Sequence, residues 1–380
     1  MKNIAIFALL SFVVCEQKTF VACEGNFYQS NGSLWTLDQE EAYQYTGNQL
    51  GEIVQSLYIN LDELYLTVNG SHIIYVFDIT DNGLVQKELI DTNFSSPREM
   101  LVYNNYLYFS NWYSSDLKKI DLNTWEIVNE ISMPGLPEDI VMLDEKLYIS
   151  ITMNFDWTDG DKVVVLNPET DNIIETYFVG SGPGDLLTHE NEVYVSRTYY
   201  DENWNAFYGT SRIAIDGSII ENNYGSGVAC GGSVHSLNGD VYRSYNGGIA
   251  KLDENLDILV DTRIGDYGFE NVYSVEVLGE YIYFGLSDYF APDEVVVLNS
   301  DGDEIETYEV GAIPGDFVAW DGCFANGDIN VDNMLNITDV VMVVYYVLDN
   351  ADYLCEADVN NDGSMDILDI ISMVQEILNN

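Results

Sequence analysis

An all-β ring of seven repeating units, followed by a small helical unit, is the fold this sequence predicts. Three observations carry the prediction. A six-residue strand recurs seven times: 26–31 (NFYQSN), 63–68 (ELYLTV), 106–111 (YLYFSN), 146–151 (KLYISI), 192–197 (EVYVSR), 240–245 (DVYRSY) and 281–286 (YIYFGL). Its third place is always tyrosine, at Tyr28, Tyr65, Tyr108, Tyr148, Tyr194, Tyr242 and Tyr283, with gaps of 37, 43, 40, 46, 48 and 41 residues. Two places later stands a small or hydroxyl residue: Ser30, Thr67, Ser110, Ser150, Ser196, Ser244 and Gly285. A period in the forties built from β-rich units is the mark of a propeller of four-stranded blades. Finally, the apolar and acidic pattern changes at Cys323, where two acidic loops begin, each leading into an apolar segment of helical length.

Within a copy, Leu64, Leu66 and Val68 point one way and Tyr65 and Thr67 the other, because a strand has period two. Both faces are apolar or aromatic, as they must be for a blade packed between two others. An ordinary β-sandwich would not place an aromatic at the same strand position in every copy. A second apolar strand follows each tyrosine strand, and a short segment suited to the centre precedes it. The last such inner segment, 316–320, has no outer strands after it, and the first blade has no inner strand before it. The two are expected to complete one another, closing a seven-bladed β-propeller and hiding both sheet edges.

The predicted organisation is therefore a signal peptide over residues 1–15, the propeller over 16–322 and a calcium-binding domain over 323–380. Lys2 followed by the apolar run 4–14 reads as an export signal, too short to span a membrane. Cys15 is the expected lipidation site, with ordinary cleavage after it as the alternative. Export permits disulfides. Cys323 and Cys355 bracket one repeat of the tail and are expected to pair. Lys and Arg number 13 against 64 Asp and Glu, a formal charge of −51, so nucleic acid and anionic lipid are poor partners.

Four loops ahead of the inner strands share a motif of proline followed by an acid: Pro97-Arg98-Glu99, Pro137-Glu138-Asp139, Pro183-Gly184-Asp185 and Pro314-Gly315-Asp316. Phe269-Glu270-Asn271 is a variant. Glu99, Asp139, Asp185, Asp316 and Glu270 are expected to ring the channel mouth. They would either cap their own turns or attract a cation or polar ligand. Loops 154–161, 199–209 and 288–293 are aromatic. Their Phe155, Trp157, Tyr199, Trp204, Phe207, Tyr208 and Tyr289 suit sugar stacking or protein contact. Arg243 replaces an apolar residue of the other copies. With Arg197, Arg98 and His235 it would serve a ligand carboxylate, with internal pairing to carboxylates preferred. No nucleophile elbow, His-rich metal motif or Gly-rich phosphate loop is present, so a binding protein is expected over an enzyme. A glycan hydrolase or lyase using the acidic ring is the alternative, and a structural surface-layer propeller a further one.

On these residues, 23–322 resemble the YncE-like, YVTN-type β-propellers of secreted and surface-layer proteins. The opening Cys23-Glu-Gly-Asn-Phe-Tyr-Gln-Ser-Asn-Gly-Ser-Leu is similar to the start of bacterial surface propeller lipoproteins of that group. In the tail, Asp328, Asn330, Asp332, Asn336 and Asp339 stand at places 1, 3, 5, 9 and 12 of a loop. Asp358, Asn360, Asp362, Asp366 and Asp369 repeat the set 30 residues on. Met334 and Ser364 would add backbone carbonyls at place 7. Such spacing delivers the six to eight oxygens calcium wants. The doubled loop-helix unit resembles a type I dockerin domain, which implies calcium as cofactor and a cohesin-like or other surface protein as partner.

Overall fold

The computed structural model describes residues 18–38, 41–80, 82–227, 232–268, 271–320, 327–330, 335–349, 354–360 and 364–379. The expected signal peptide, Cys15, Cys323, Glu270, Asp332, Met334 and Asp362 lie outside these residues, as do Cys230, a candidate partner for Cys23, and the side chain of Cys355. The chain divides into two compact units, one spanning Thr19–Ala319 and the other holding the C-terminal helices.

The first unit is an all-β propeller of seven sheets among the described residues, six of four strands and one of three. Blade 2 shows the plan: inner strand Val54–Asn60, tyrosine strand Glu63–Val68, third strand Ile73–Thr80 and outer strand Gly83–Asp91, all antiparallel. Blades 3, 4, 5 and 7 repeat it, with inner strands Pro97–Tyr103, Leu136–Leu143, Pro183–His189 and Val272–Leu278. Blade 6 has the three strands Val234–Leu237, Asp240–Tyr245 and Gly248–Lys251. The ring closes as expected. Pro314–Trp320 is the inner strand of blade 1, and N-terminal strands complete that sheet.

The identity of the closing strand corrects the sequence reading. Residues 26–31 form a turn, and Tyr28 is 93% exposed with φ 63°. The strand paired to Ser33–Asp38 is Lys18–Cys23. In that strand buried Phe20 stands at the tyrosine's place and Ala22 at the small residue's. Cys23 ends it as a buried free thiol, which burial pushes up to about 12.

Each of the other six tyrosines packs on the next blade around the ring. Tyr65 joins Met100, Leu107 and Phe109 of blade 3, and Tyr108 joins Ile140, Leu147 and Ile149 of blade 4. Tyr283 joins Val21 and Leu37 of the closing blade. The hydroxyl residue two places on has a separate task. The inner strands of blades 2, 3, 4, 5 and 7 begin with a bulge, which takes a backbone N–H out of the ladder. Ser56 N donates to Thr67 Oγ1 (3.0 Å), Glu99 N to Ser110 Oγ (3.0 Å), Asp139 N to Ser150 Oγ (3.0 Å) and Ser233 N to Ser244 Oγ (2.9 Å). The same hydroxyls then donate to the neighbouring blade, Thr67 to Arg98 O (3.1 Å) and Ser110 to Glu138 O (2.5 Å). Gly285 breaks the pattern for a steric reason. A Cβ there would lie 2.4 Å from Ser274 Oγ, which itself donates to Pro314 O (2.6 Å) and so supplies the inter-blade bond from the inner strand. Ser110→Ala removes a buried acceptor and donor together. A loss of about 2 kcal/mol in denaturant unfolding is expected, against no measurable change for exposed Ser132→Ala; equal effects would refute the staple.

The second unit contains helices Ile337–Asp349 and Ile367–Asn379. Each begins three residues earlier than the apolar runs indicate. The helices pack through Val340, Val343 and Met373, with Ala357 from the connection. Among the described residues no helix is long and apolar enough to cross a membrane.

Candidate functional site

The residues at the start of the inner strands line a central cavity. Proline suits this place because it has no N–H to donate to the ladder. The equivalent place reads Ser56, Glu99, Asp139, Asp185, Ser233, Ser274 and Asp316 around the ring, and all but Ser56 line the central cavity. The four expected acids thus come together, lining a cavity of about 440 Å³ with Glu138, Glu276 and His235.

The four carboxylates are not equivalent. Asp139 accepts from Ile140 N and, across the blade boundary, from Leu186 N, both at 2.6 Å. Asp316 accepts from Phe317 N (2.8 Å) and from Leu57 N of the next blade (2.6 Å). Burial pushes Asp139 up to about 6 and Asp316 up to about 7, although these backbone donors pull the other way. Glu99 and Asp185 are raised well above the usual carboxylate range, by burial first and then by the charges around them. Those charges include Asp316 and Asp139. Turn capping therefore describes Asp139 and Asp316, while Glu99 and Asp185 are held among like charges.

Arg98 offsets part of this charge. It pairs with Glu138 at 2.5 Å and lies 4.2 Å from the centre of the Trp112 ring. Buried His235 sits with Nε2 2.6 Å from Ser233 Oγ and Nδ1 3.5 Å from Glu276. Glu138 stands inside the proline-acid motif, but at a place where the other copies carry Arg98, Gly184 and Gly315; Glu276 and Tyr273, which also line the cavity, belong to no shared motif.

Arg197 and Arg243 do something else. Both are buried, at 2% and 1% exposure, away from the channel acids and not in ion pairs with carboxylates among the described residues. Arg243 donates to Gly209 O (2.5 Å), Thr210 Oγ1 (2.8 Å) and Ser244 O (3.1 Å), between the rings of Tyr208 and Tyr224. Arg197 donates to Asn223 Oδ1 (2.6 Å) and Asn222 O (3.1 Å). The expected carboxylate pairing is replaced by carbonyls and aromatic faces, and neither residue stands at the mouth.

The loops entering the inner strands and those between second and third strands share one face, because successive strands of a blade alternate in direction. On it Phe155, Trp157, Trp204 and Tyr289 are exposed as expected. Tyr199, Phe207 and Tyr208 are not loop residues. They belong to strands Glu192–Tyr200 and Ala206–Ile213, where Tyr199 stacks on Phe207 at 5.8 Å, so the loop shrinks to residues 201–205. Phe94, Trp112 and Tyr113 join the aromatic set. With Phe155 and Trp157 they line a cleft of about 510 Å³. The run Asn111-Trp112-Tyr113 carries that signal in the sequence.

In the tail, Asp339 and Asp369 are buried at corresponding places. Asp339 accepts from Ile329 N (3.1 Å) and Asn336 N (2.9 Å), and Asp369 from Asn360 N (3.1 Å) and Asp366 N (2.7 Å). Each acid thus folds its loop back over the start of its helix. Asn330 Oδ1 is buried without a hydrogen-bond partner. An oxygen in that state fits the donor set of a hard cation. Asp328, Asn336, Asp358 and Ser364 are among the described residues, and no group of three or more His, Cys, Asp or Glu side chains is gathered to hold a metal ion among the described residues.

No protein family matches the chain, and no curated protein matches it in sequence. Solved structures do match in fold. A provisionally named 6-phosphogluconolactonase from Bacteroides uniformis is 13% identical, covers 80% of this chain and 100% of its own, and superposes with a TM-score of 0.59. A functionally unknown protein from Desulfotomaculum acetoxidans is 12% identical, with 80% and 98% covered and a TM-score of 0.58. A second provisionally named 6-phosphogluconolactonase, from Bacteroides fragilis, is 14% identical, with 82% and 99% covered and a TM-score of 0.57. At such identity these likenesses show one thing: the chain carries the seven-bladed β-propeller fold.

Proposed function

We propose that this is an exported, surface-located binding protein whose propeller holds a glycan on its loop face and whose tail is a calcium-dependent, dockerin-like assembly module. The observation that carries the first half is the aromatic cleft. Phe94, Tyr113, Phe155 and Trp157 are all exposed around it, although burying large apolar rings is the ordinary course. A pyranose offers an apolar face for such rings and hydroxyls for Asn93, Ser114 and Ser115 beside them. The second half is supported by the matched settings of Asp339 and Asp369 and the orphaned oxygen of Asn330. It is supported too by the apolar stripe Ile337, Val341, Tyr345 and Leu348 left exposed along the first helix. A surface partner would cover that stripe. The resemblance of the opening residues to surface propeller lipoproteins supports export and lipidation at Cys15.

A second reading is favoured by the channel. Asp139 and Asp316 titrate near neutrality, where a carboxyl group can both give and take a proton. That is the property a glycan hydrolase, or a lactone hydrolase like those its fold neighbours are named for, would need. One experiment separates the readings: the calcium-loaded chain incubated with a glycan panel and analysed by mass spectrometry for retention and cleavage. Retained, intact glycan is expected, lost in Trp157→Ala. Cleavage abolished by Asp316→Asn would install the enzyme in its place.

A further inference from the structure

A hydroxyl, an imidazole and a carboxylate stand in line on one wall of the central cavity. Ser233 Oγ lies 2.6 Å from His235 Nε2, and Glu276 Oε1 lies 3.5 Å from His235 Nδ1. All three residues line the cavity of about 440 Å³. Two places after the acid or serine of each inner strand, five blades carry an apolar or aromatic residue, as at Leu101 and Leu187. Blades 6 and 7 carry His235 and Glu276 there instead. The two departures fall on neighbouring blades, and their side chains meet across the boundary.

Ser233 also departs from its equivalents. Ser56 Oγ donates to Arg98 O (2.5 Å) and Ser274 Oγ to Pro314 O (2.6 Å), so both give their proton to the backbone of the next blade. On its own next blade Ser233 Oγ finds Val275 O at 3.4 Å, a much longer contact than its approach to the imidazole. A carboxylate at Nδ1 favours the tautomer with the proton there, which leaves Nε2 to accept from the hydroxyl. The 3.5 Å separation is within the usual range for such a pair, because catalytic contacts commonly tighten only around substrate.

We propose that Ser233 is a nucleophile, with His235 as its base and Glu276 positioning the imidazole, and that the cavity hydrolyses a small uncharged carboxylic ester. Ser233 Oγ bonds to the acyl carbon as the ester C–O bond breaks. The hydroxyl proton passes to His235 Nε2 and on to the departing alcohol. Water then bonds to the acyl carbon, giving a proton to Nε2, and the Oγ–acyl bond breaks. That proton returns to Oγ, and a carboxylic acid is released. The oxyanion formed on the way needs hydrogen-bond donors. Asp316, raised to about 7 by burial, is partly protonated at neutral pH, and Glu99 and Asp185 are raised well above the usual range. A protonated carboxyl group is such a donor. The ionised acids set the substrate class, since they repel an anionic ester and expel the ionised product. The site is separate from the aromatic cleft and does not depend on the glycan-binding reading.

The test is mass spectrometry of the full chain after incubation at pH 7 with an uncharged fluorophosphonate, whose phosphorus takes a serine oxygen as fluoride leaves. One adduct is expected, on Ser233, with none on Ser56 or Ser274 at the same place of their blades. His235→Gln is expected to slow labelling at least about 100-fold. Glu276→Asp is expected to keep more of the labelling rate than Glu276→Gln, as befits a residue that aims the ring. Release of 4-nitrophenolate from 4-nitrophenyl acetate is expected to be lost in Ser233→Ala. A parent chain without an adduct on Ser233 overturns the inference, whether or not the variants fold. An unchanged labelling rate in a His235→Gln chain with the parent's circular dichroism overturns it too. An adduct on Ser233 in a chain that retains no glycan leaves this inference standing and removes the glycan-binding reading alone.

Discussion

The double variant Glu99→Gln/Asp185→Asn is expected to melt several degrees above the parent protein at pH 8 and to show a flatter dependence of stability on pH. Both acids sit among like charges, and both are raised by burial. The sign follows from proton counts. Between the ordinary carboxylate range near pH 4 and about pH 7, the folded ring keeps protons that the unfolded chain has released. The folded state therefore binds more protons, and stability falls as pH rises, by about 1.4 kcal/mol per pH unit for each proton retained. The slope ends where the folded ring has released its last retained proton. Neutral amides imitate the protonated form. Thermal unfolding from pH 4 to 9 in a chelating buffer checks this, and parallel curves for variant and parent would sink it. A cation that binds the ring should steady the parent at pH 8 and leave the variant unmoved.

Calcium titrated into the full chain is expected to saturate with one ion per tail loop, and Asp339→Ala or Asp369→Ala to remove one binding event each. Asp339 holds three backbone amides of its own loop and Asp369 two, so each alanine variant also loosens the turn. Asp339→Asn separates these roles. The amide keeps an acceptor for the backbone but gives up the charge that a divalent ion requires. Calorimetry should therefore show the site lost in the asparagine variant while helical circular dichroism in calcium falls less than in the alanine variant. Calcium release should lower that helical signal in the parent, because ligand geometry and folding are coupled. Unchanged stoichiometry in all three variants would remove calcium from the tail.

The blades were legible because period-two alternation and the buried tyrosines act together, and each tyrosine packs on its neighbour's core. The closing strand was missed for the same reason. Tyr28 matches the motif by residue type, whereas Phe20 and Ala22 match it by position. The short first gap of 37 residues was the warning. Outer strands such as Gly83–Asp91 left little trace, since their buried residues are few and their alternation is largely polar. In the channel, proline followed by an acid gave Glu99, Asp139, Asp185 and Asp316. Ser56, Ser233 and Ser274 at the same ring position carry no such flag. Arg243 was out of place in its strand and correctly singled out, but its partners are carbonyls and tyrosine rings. Those depend on neighbouring strands that no local pattern names.

The seam between Lys18–Cys23 and Pro314–Trp320 has a consequence for how the ring comes to exist. The other blades zip from hairpins of adjacent strands, which is quick. This one joins segments roughly 290 residues apart, so its entropy cost falls due last and in one step. A growing chain must hold its first strand unpaired, apolar Phe20, Val21 and Ala22 included, until the final inner strand has been made. The latch is then the slowest event of assembly and the first to yield under tension on the two ends. A ligand lying across several blades would act on it like a hoop around a barrel, slowing its release without touching the seam.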